Sequence, residues 1–331
     1  MMSFLLEIKN LTVSIQNENF YISKGSNNLS TNVIDNLSLD IRAGEIYGLV
    51  GESGSGKTLL ALSIMRLLSE PFIKINSGEI FLNGTDILKL SYENLRKIRG
   101  NKISIIFQEP SSSLNPVLKI GTQLLEAISP DTNTNQDKKE YAISLLKKVG
   151  VPDAESRMNY YPHQLSGGMK QRVMIAMAIA RKPSLIIADE PTTALDVTIQ
   201  AEILDLLRNL HSEQSESSIL FITHNLAIVN QICDTVSVIY GGEIMETAPR
   251  DEFFSNPLHP YTQGLLNSLP DINKNKRIKL SPIKGTVPPL GKFPPGCKFA
   301  DRCEKAVSIC NKIKPENKEL QKNHFVKCHL Y

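Results

Sequence analysis

The stretch Gly51-Glu52-Ser53-Gly54-Ser55-Gly56-Lys57-Thr58 decides the fold of this chain. Gly51 and Gly56 are separated by four residues and are followed by Lys and Thr, a pattern typical of a phosphate-binding loop. A short buried strand at residues 45–50 and an apolar helix at residues 59–68 are predicted around it, which is the setting that this loop requires. The pattern therefore favours phosphate binding over a chance glycine-rich turn.

A second stretch has the character of an anion site. It reads Leu165-Ser166-Gly167-Gly168-Met169-Lys170-Gln171-Arg172 and precedes an apolar helix predicted at residues 173–180. Unpaired N–H groups and the dipole at a helix N-terminus favour negative charge, and glycines allow a ligand to approach the backbone. Taken alone, the stretch could also be an ordinary helix capped by Ser166.

Acidic and imidazole side chains follow two predicted strands. Residues 185–188 form an apolar strand before Asp189 and Glu190, and residues 218–223 form another before His224. A carboxylate at the end of a strand beside a phosphate-binding loop is suited to hold Mg²⁺, and the next one can orient an attacking water. Solvated acids before a turn and a structural histidine are the alternatives.

Together these segments resemble the ATP-binding subunits of ABC transporters over about residues 5–255. The resemblance implies an α/β fold of the P-loop NTPase class, with an antiparallel β subdomain, a helical subdomain and a cysteine-containing C-terminal extension. It identifies Gly51 to Thr58 as the Walker A loop, Gln108 as the Q-loop glutamine, Leu165 to Gln171 as the signature loop and Leu185 to Asp189 as Walker B.

The same resemblance implies a role for each site residue. Glu190, His224 and Gln108 are expected to be catalytic, and Thr58, Gln108 and Asp189 to hold Mg²⁺. ATP is expected on residues 51–58, Gln108 and Asp189, and Asp196 falls in the D-loop. Ser166, Gly167, Gly168 and Gln171 are expected to complete the ATP site of a second subunit. The aromatic residue that the family stacks on adenine near the end of the first strand is replaced here by Ile15 or Gln16. Phe20 and Tyr21 follow in a polar stretch, and Tyr21 is the candidate for stacking, with weak adenine stacking as the alternative.

Composition and the distribution of apolar residues indicate where the protein is located. The chain has 331 residues and a formal net charge of +3. We expect no signal peptide, because the N-terminus lacks a charged segment followed by an apolar one. No apolar run approaches the ~18–20 residues of a membrane span. These observations predict a soluble cytoplasmic protein whose membrane role, if any, needs a partner, and the resemblance to ABC transporter subunits implies that it is peripheral to the cytoplasmic face of the membrane.

Strand and helix patterns divide the chain into two predicted domains. Residues 1–255 form the nucleotide-binding domain, with a helical lobe at about 91–170, because strand–helix alternation resumes after it. Residues 256–331 form an extension rich in proline and lysine. The tail is basic but lacks interleaved aromatics, which argues against nucleic acid as a partner.

Two segments resemble the oligopeptide/dipeptide/nickel importer ATPases in particular. They are Asn256-Pro257-Leu258-His259-Pro260-Tyr261-Thr262-Gln263-Gly264-Leu265-Leu266 and the Q-loop at residues 108–117. The D-type subunit of this group fits best, which implies peptide import together with an F-type partner ATPase, two permease subunits and, indirectly, an extracellular substrate-binding protein. A nickel or metallophore importer is the alternative. A soluble non-transport ABC ATPase and a regulatory nucleotide-binding module fit less well, since the chain has one cassette, no sustained heptads and intact hydrolytic residues.

Four of the five cysteines lie in the tail: Cys297, Cys303, Cys310 and Cys328. A reducing compartment disfavours disulfides, so clustered thiols suggest metal. Their spacing is wider than in most zinc sites, and some members of the importer group carry a 4Fe–4S cluster on such a tail. A 4Fe–4S cluster is therefore expected here, with Zn²⁺ or unliganded thiols as alternatives. Cys233 lies in an apolar run and is expected to be a buried small residue.

Overall fold

A computed structural model describes residues 4–16, 30–128, 134–193, 195–213, 216–268 and 283–331. The chain divides into two units. Unit I consists of Arg42–Glu45 and Lys89–Ile222 with the N-terminal residues up to Leu5, and unit II consists of Leu6–Ile41, Ile46–Leu88 and Thr223–Tyr331.

Unit I is built on three parallel strands. They are β6 (Ile103–Ile106), β7 (Leu185–Asp189) and β8 (Ser218–Thr223), with β7 in the middle. Every residue of β7 and β8 is buried. Parallel strands covered on both faces carry such continuous apolar runs, so the sequence-based strand assignments here are confirmed.

Seven helices belong to unit I. Their bounds are α2 (Tyr92–Ile98), α3 (Pro110–Ser113), α4 (Ile120–Ala127), α5 (Asn135–Lys148), α6 (Ala154–Arg157), α7 (Gly167–Ile179) and α8 (Val197–Glu213). A short 3₁₀ turn at Pro162–Gln164 precedes α7. Helix α7 begins six residues before the apolar run predicted from the sequence, because the Ser166 hydroxyl caps it by accepting the Met169 N–H (3.3 Å).

Unit II contains a four-stranded sheet in the order β2-β1-β4-β5. Its strands are β1 (Phe4–Gln16), β2 (Ser30–Arg42), β4 (Ile73–Leu82) and β5 (Thr85–Asp86). Strands β1 and β4 are antiparallel, with Ile8 opposite Ile80, and both of these side chains are fully buried. This sheet confirms the predicted antiparallel β part.

A second group of strands in unit II follows the order β11-β12-β10-β9-β3. The strands are β3 (Ile46–Val50), β9 (Thr235–Tyr240), β10 (Glu243–Pro249), β11 (Asn317–Gln321) and β12 (His324–Lys327). β3 and β9 are parallel, whereas the other pairs are antiparallel. The tail thus adds two strands to the group that contains β3, which a sequence this polar did not predict.

Four helices complete unit II: α1 (Lys57–Ile64), α9 (Leu226–Ile232), α10 (Arg250–Ser255) and α11 (Pro260–Asn267). Two 3₁₀ turns in the tail span Ala300–Arg302 and Ser308–Asn311. Helix α1 is shorter than predicted and ends before Arg66, whose φ of 49° is incompatible with a continuing right-handed helix. No helix in the described part of the chain is long and apolar enough to cross a membrane.

Candidate functional site

The loop at residues 51–58 connects β3 to α1 within unit II. Gly54 and Gly56 have φ angles of 78° and 104°, in the region that favours glycine. A Cβ atom on Gly51 would lie 2.3 Å from the carbonyl oxygen of Ile239, so no larger residue fits there. Gly56 precedes α1 without any side-chain cap. The loop therefore presents backbone N–H groups at the start of a helix, an arrangement suited to phosphate.

Lys57 is the first residue of α1 and its side chain folds back over the loop. Its ammonium donates to the carbonyl oxygens of Gly51 (2.8 Å) and Glu52 (3.1 Å), and the residue is 6% exposed. The hydroxyl of Ser55 is buried and has no hydrogen-bond partner within the described residues. Thr58, the second residue of α1, is exposed.

At the end of β7, unit I brings together two of the predicted catalytic residues. The carboxylate oxygen Oε2 of Glu190 accepts hydrogen bonds from Gln108 Nε2 (3.1 Å) and Thr193 Oγ1 (2.9 Å). Its backbone N–H donates to the carbonyl of Ile222 on the neighbouring strand (2.9 Å), and its φ is 47°. A left-handed conformation is uncommon at a glutamate, and here it turns the chain at the end of β7.

Asp189 is the last residue of β7 and is 2% exposed. Its position at the end of the strand agrees with the one expected from the sequence.

Thr193, which donates a hydrogen bond to Glu190, was not predicted, because a threonine three residues beyond an acid carries no distinctive signal.

The signature stretch forms the exposed start of α7. Gly167 is exposed and Gly168 is partly exposed, whereas Gln171 is 1% exposed and its side-chain nitrogen has no partner among the described residues. A Cβ on Gly168 would lie 2.8 Å from Ile199 Cγ2 of α8. Asp196 caps that helix by accepting the N–H of Ile199 (2.9 Å).

The Q-loop also contacts the signature helix, since Lys170 Nζ of α7 donates to the Ser111 hydroxyl of α3 (3.3 Å). The loop that begins at Gln108 and the helix that begins at Gly167 therefore belong to one packed region of unit I.

The remaining predicted residues are distributed as follows. His224 is exposed and directly follows β8, and it belongs to unit II together with residues 51–58. Thr58 belongs to unit II, whereas Gln108 and Asp189 belong to unit I. Tyr21, the candidate for stacking on adenine, lies outside the described residues.

The four tail cysteines line a single cavity in unit II. The same cavity is lined by His259 and Lys305, and its volume, including the open mouth, is about 290 Å³. The backbone N–H of Cys297 donates to the carbonyl of Cys310 (2.7 Å). Burial raises the pKa of the Cys297 thiol to about 12, and burial also raises the pKa of Cys303 and Cys328. Four cysteines up to 31 residues apart in the chain thus line the same cavity.

The cavity is not arranged for a single ion. In the described parts of the chain, no group of three or more His, Cys, Asp or Glu side chains could hold a metal ion. The described residues therefore give no support to the expected 4Fe–4S cluster or to Zn²⁺. Cys233 lies elsewhere, fully buried beside Gly48, which confirms its assignment as a core residue.

Two family models match the sequence. The model described as "ABC transporter" matches residues 34–193, and the model described as "Oligopeptide/dipeptide transporter, C-terminal region" matches residues 245–310. The second match covers the segment that the sequence analysis singled out at the start of the tail.

Curated relatives and solved structures agree with these matches. The putative peptide import ATP-binding protein BMEII0863 of Brucella melitensis is 47% identical over 306 residues, covering 89% of this chain and 90% of the relative. The ATP-binding cassette MJ0796, solved as a dimer in a post-hydrolysis state with ADP and Pi, matches with a TM-score of 0.63 and 28% identity, covering 74% of this chain and 98% of that one.

One relative matches from end to end. The oligopeptide transport ATP-binding protein AppD of Bacillus subtilis is 45% identical over 331 residues, which covers 100% of this chain and 98% of the relative. The chain therefore belongs to the ABC transporter ATPases, in the oligopeptide/dipeptide transporter group.

Proposed function

We propose that this chain hydrolyses ATP to power the import of di- or oligopeptides through an ABC transporter. The observation that carries the proposal is the presence, in one chain, of the ABC region and the oligopeptide/dipeptide transporter C-terminal region. The names of the relatives from Bacillus subtilis and Brucella melitensis, which refer to oligopeptide transport and peptide import, support the choice of cargo. A nickel or metallophore importer remains the second candidate from the sequence analysis.

In this proposal the loop at residues 51–58 holds the ATP phosphates. The exposed N–H groups before α1 and the Lys57 ammonium supply positive electrostatic potential for the β- and γ-phosphates. Thr58, Gln108 and Asp189 are the proposed ligands of Mg²⁺, which supplies charge neutralisation at the phosphates when bound. His224 is proposed to contact the γ-phosphate.

Glu190 is the proposed catalytic carboxylate. The hydrogen bonds from Gln108 and Thr193 fix its orientation, so that it can align a water for attack without a reorganisation step. The link to Gln108 also offers a route by which the Q-loop could sense the state of the site. Residues 111–117, which follow Gln108, are proposed to receive a permease helix.

The signature residues Ser166, Gly167, Gly168 and Gln171 are proposed to act on ATP held by a second subunit, and Asp196 to act at the same interface. The dimeric state described for the related cassette supports this arrangement. The proposed partners are an F-type ATPase, two permease subunits and, indirectly, an extracellular substrate-binding protein. The chain is then peripheral to the cytoplasmic face of the membrane, with residues 1–255 as the nucleotide-binding domain, including a helical lobe at about 91–170, and residues 256–331 as the extension.

The cavity of the four tail cysteines is the proposed site of a 4Fe–4S cluster. Four thiols that line one cavity supply the kind and number of ligands that the Cys₄ ligation of such a cluster needs, although these side chains do not form a closed metal-binding group as they stand. Burial penalises thiolates that have no positive partner, so bound iron would stabilise the deprotonated ligands. The cluster would order the tail; it has no part in the hydrolysis steps above.

The cargo is tested with the assembled transporter in liposomes. Its substrate-binding protein and both ATPases are present, and ATP hydrolysis is measured with added peptides of two to eight residues, with Ni²⁺ or with a metal-loaded chelator. Stimulation by peptide alone is expected. Stimulation by Ni²⁺ or the chelate, without any response to peptide, would replace the peptide proposal by the second candidate.

A further inference from the structure

The guanidinium of Arg302 in the tail binds the carboxylate of Glu52 in the phosphate-binding loop. Two hydrogen bonds join them, from Nη1 to Oε2 (2.7 Å) and from Nη2 to Oε1 (3.2 Å). The two residues are 250 positions apart in the sequence. The Arg302 side chain is 7% exposed and that of Glu52 is 27% exposed, so the pair is shielded from water more than a surface ion pair.

The tail holds Arg302 in place for this contact. It ends the 3₁₀ turn that leads directly into Cys303. Its Nε donates to the carbonyl of Lys284 (3.0 Å), and Nη1 also reaches the hydroxyl of Tyr240 (3.3 Å). The guanidinium carbon lies 5.7 Å from the centre of the Tyr240 ring. A guanidinium held in this way binds a carboxylate with little further loss of entropy.

A second residue of the extension forms a hydrogen bond with the backbone of the same loop. The N–H of Glu52 donates to the hydroxyl of Tyr261 (3.2 Å), a fully buried residue of α11. The carbonyl of Glu52 accepts the Lys57 ammonium (3.1 Å). The extension therefore binds both the side chain and the backbone of Glu52, whose carbonyl accepts a hydrogen bond from Lys57.

The charge of Glu52 makes this contact matter for nucleotide binding. A carboxylate beside a loop that holds ATP repels the triphosphate, and the repulsion is stronger in a partly buried site than in bulk water. The Arg302 guanidinium cancels that charge and holds it in one orientation. Without the tail, the loop would carry an uncompensated negative charge.

We propose that Arg302 is a positioning residue of the ATP site, through which the folded C-terminal extension sets the affinity of the loop for ATP. The proposal rests on the assignment of residues 51–58 to ATP. It gives the extension a role in the ATPase reaction itself, in addition to any role in docking or cluster binding.

The test compares the binding of a non-hydrolysed fluorescent ATP analogue, with Mg²⁺, to full-length variants. Arg302→Gln removes the charge but keeps a polar side chain, and we expect its Kd to rise about tenfold, equivalent to about 1.4 kcal/mol. The loss should shrink as salt is raised, because salt screens the exposed carboxylate. Arg302→Lys keeps the charge but loses the two-pronged contact with the carboxylate, so its Kd should lie between those of the unchanged protein and Arg302→Gln.

The decisive comparison uses Glu52→Gln. Combined with Arg302→Gln it should restore affinity to within about threefold of Glu52→Gln alone, since no carboxylate is left to repel the phosphates. Lys318→Ala is the matched control, because it removes the charge of an exposed lysine of the same tail, whose ammonium donates to the carbonyl of Tyr331, and it should leave Kd unchanged.

Two results would overturn the proposal: unchanged affinity in Arg302→Gln, or a double variant as weak as Arg302→Gln alone, which would indicate a merely structural loss. Lys57→Ala separates this failure from a failure of the site assignment. If Lys57→Ala still bound the analogue normally, residues 51–58 would not be the ATP site and the Arg302 proposal would fail with it.

Discussion

The side-chain amide of Gln108 donates a hydrogen bond to the carboxylate of Glu190, although 82 residues separate them in the sequence. The bond joins a residue two positions after β6 to the residue that directly follows β7, and these strands are parallel neighbours. Side chains at the same end of neighbouring parallel strands are close in space, which is how the fold assembles a site from distant segments.

This contact leads to a prediction about Glu190. Glu190→Gln should keep ATP affinity but lower kcat by about 10²–10⁴-fold, because the amide can accept the same hydrogen bonds but cannot align or polarise water as a carboxylate does. Steady-state phosphate release by the complex that carries the change in both ATPases is the measurement. Near-normal turnover would contradict the assigned role.

A second prediction concerns the exposed signature residues Ser166 and Gly167. If they act on a partner's nucleotide, the isolated chain at low concentration should be monomeric and almost inactive. Its specific activity should rise with protein concentration or on adding the partner ATPase. Sedimentation and ATPase assays over the same concentration range check this, and a monomer with full, concentration-independent activity would exclude it.

The ion cluster that joins the tail to β2 predicts sensitivity to acid. Burial by itself would raise the pKa of Asp35, but the hydrogen bond and charge of Lys314, with the charge of Lys298, lower it from 3.8 to about 2. Because the folded pKa lies below the unfolded value, the stabilisation is complete above pH 4 and is lost as the pH falls towards 2. It amounts to about 2 kcal/mol.

Asp35→Asn should therefore unfold at a lower urea concentration than the unchanged protein at pH 6. The difference between the two proteins should disappear as the pH falls from 4 to 2. Lys9→Ala, which removes an exposed partner of Glu7, is the matched control and should keep its stability. If the difference in unfolding free energy between Asp35→Asn and the unchanged protein stayed constant down to pH 2, the assigned ion cluster would be contradicted.

His259 gives a prediction in a different pH range. Its Nδ1 accepts the N–H of Tyr261 (3.0 Å) at the start of α11, and burial lowers its pKa from 6.5 to about 4 despite the charge of Glu246. The unfolded chain then binds a proton at a higher pH than the folded chain, so acidification from pH 7 to 5 should destabilise the protein by about 2 kcal/mol through this residue.

His259→Asn keeps a side-chain acceptor for the helix cap and removes the titrating group. The variant should lose less stability than the unchanged protein between pH 7 and 5, as measured by urea unfolding at each pH. Equal losses in the two proteins would show that His259 is not buried in its neutral form.

The cysteine cavity predicts the behaviour of Cys303→Ser. Anaerobically purified protein should be brown, with about four iron and four sulfide per chain, and the variant should lose colour and become more sensitive to protease in the tail. Cys233→Ala, outside the cavity, is the control and should retain iron. Colourless protein with stoichiometric zinc would overturn the iron–sulfur assignment, and protein without metal and with freely reactive thiols would overturn any metal site.

The sequence was sufficient to predict the parts of the site that are formed by residues adjacent in the chain. A phosphate loop needs glycines, a lysine and a hydroxyl at fixed spacing between a strand and a helix, so residues 51–58 were predicted with their flanking elements. Strands β7 and β8 were predicted from continuous apolar runs. The ends of α1 and α7 were not, because they depend on the left-handed Arg66 and on the cap at Ser166.

The tertiary structure alone decided which distant residues meet. No spacing rule relates Arg302 to Glu52 across 250 positions, and polar residues of the tail give little sign that β12 will pair with β10. Such contacts arise where burial makes an unpaired charge or N–H costly, and the chain supplies the partner from whichever segment packs nearby. The motifs could therefore be predicted from the sequence, whereas the contact between the tail and the phosphate-binding loop is decided by tertiary packing.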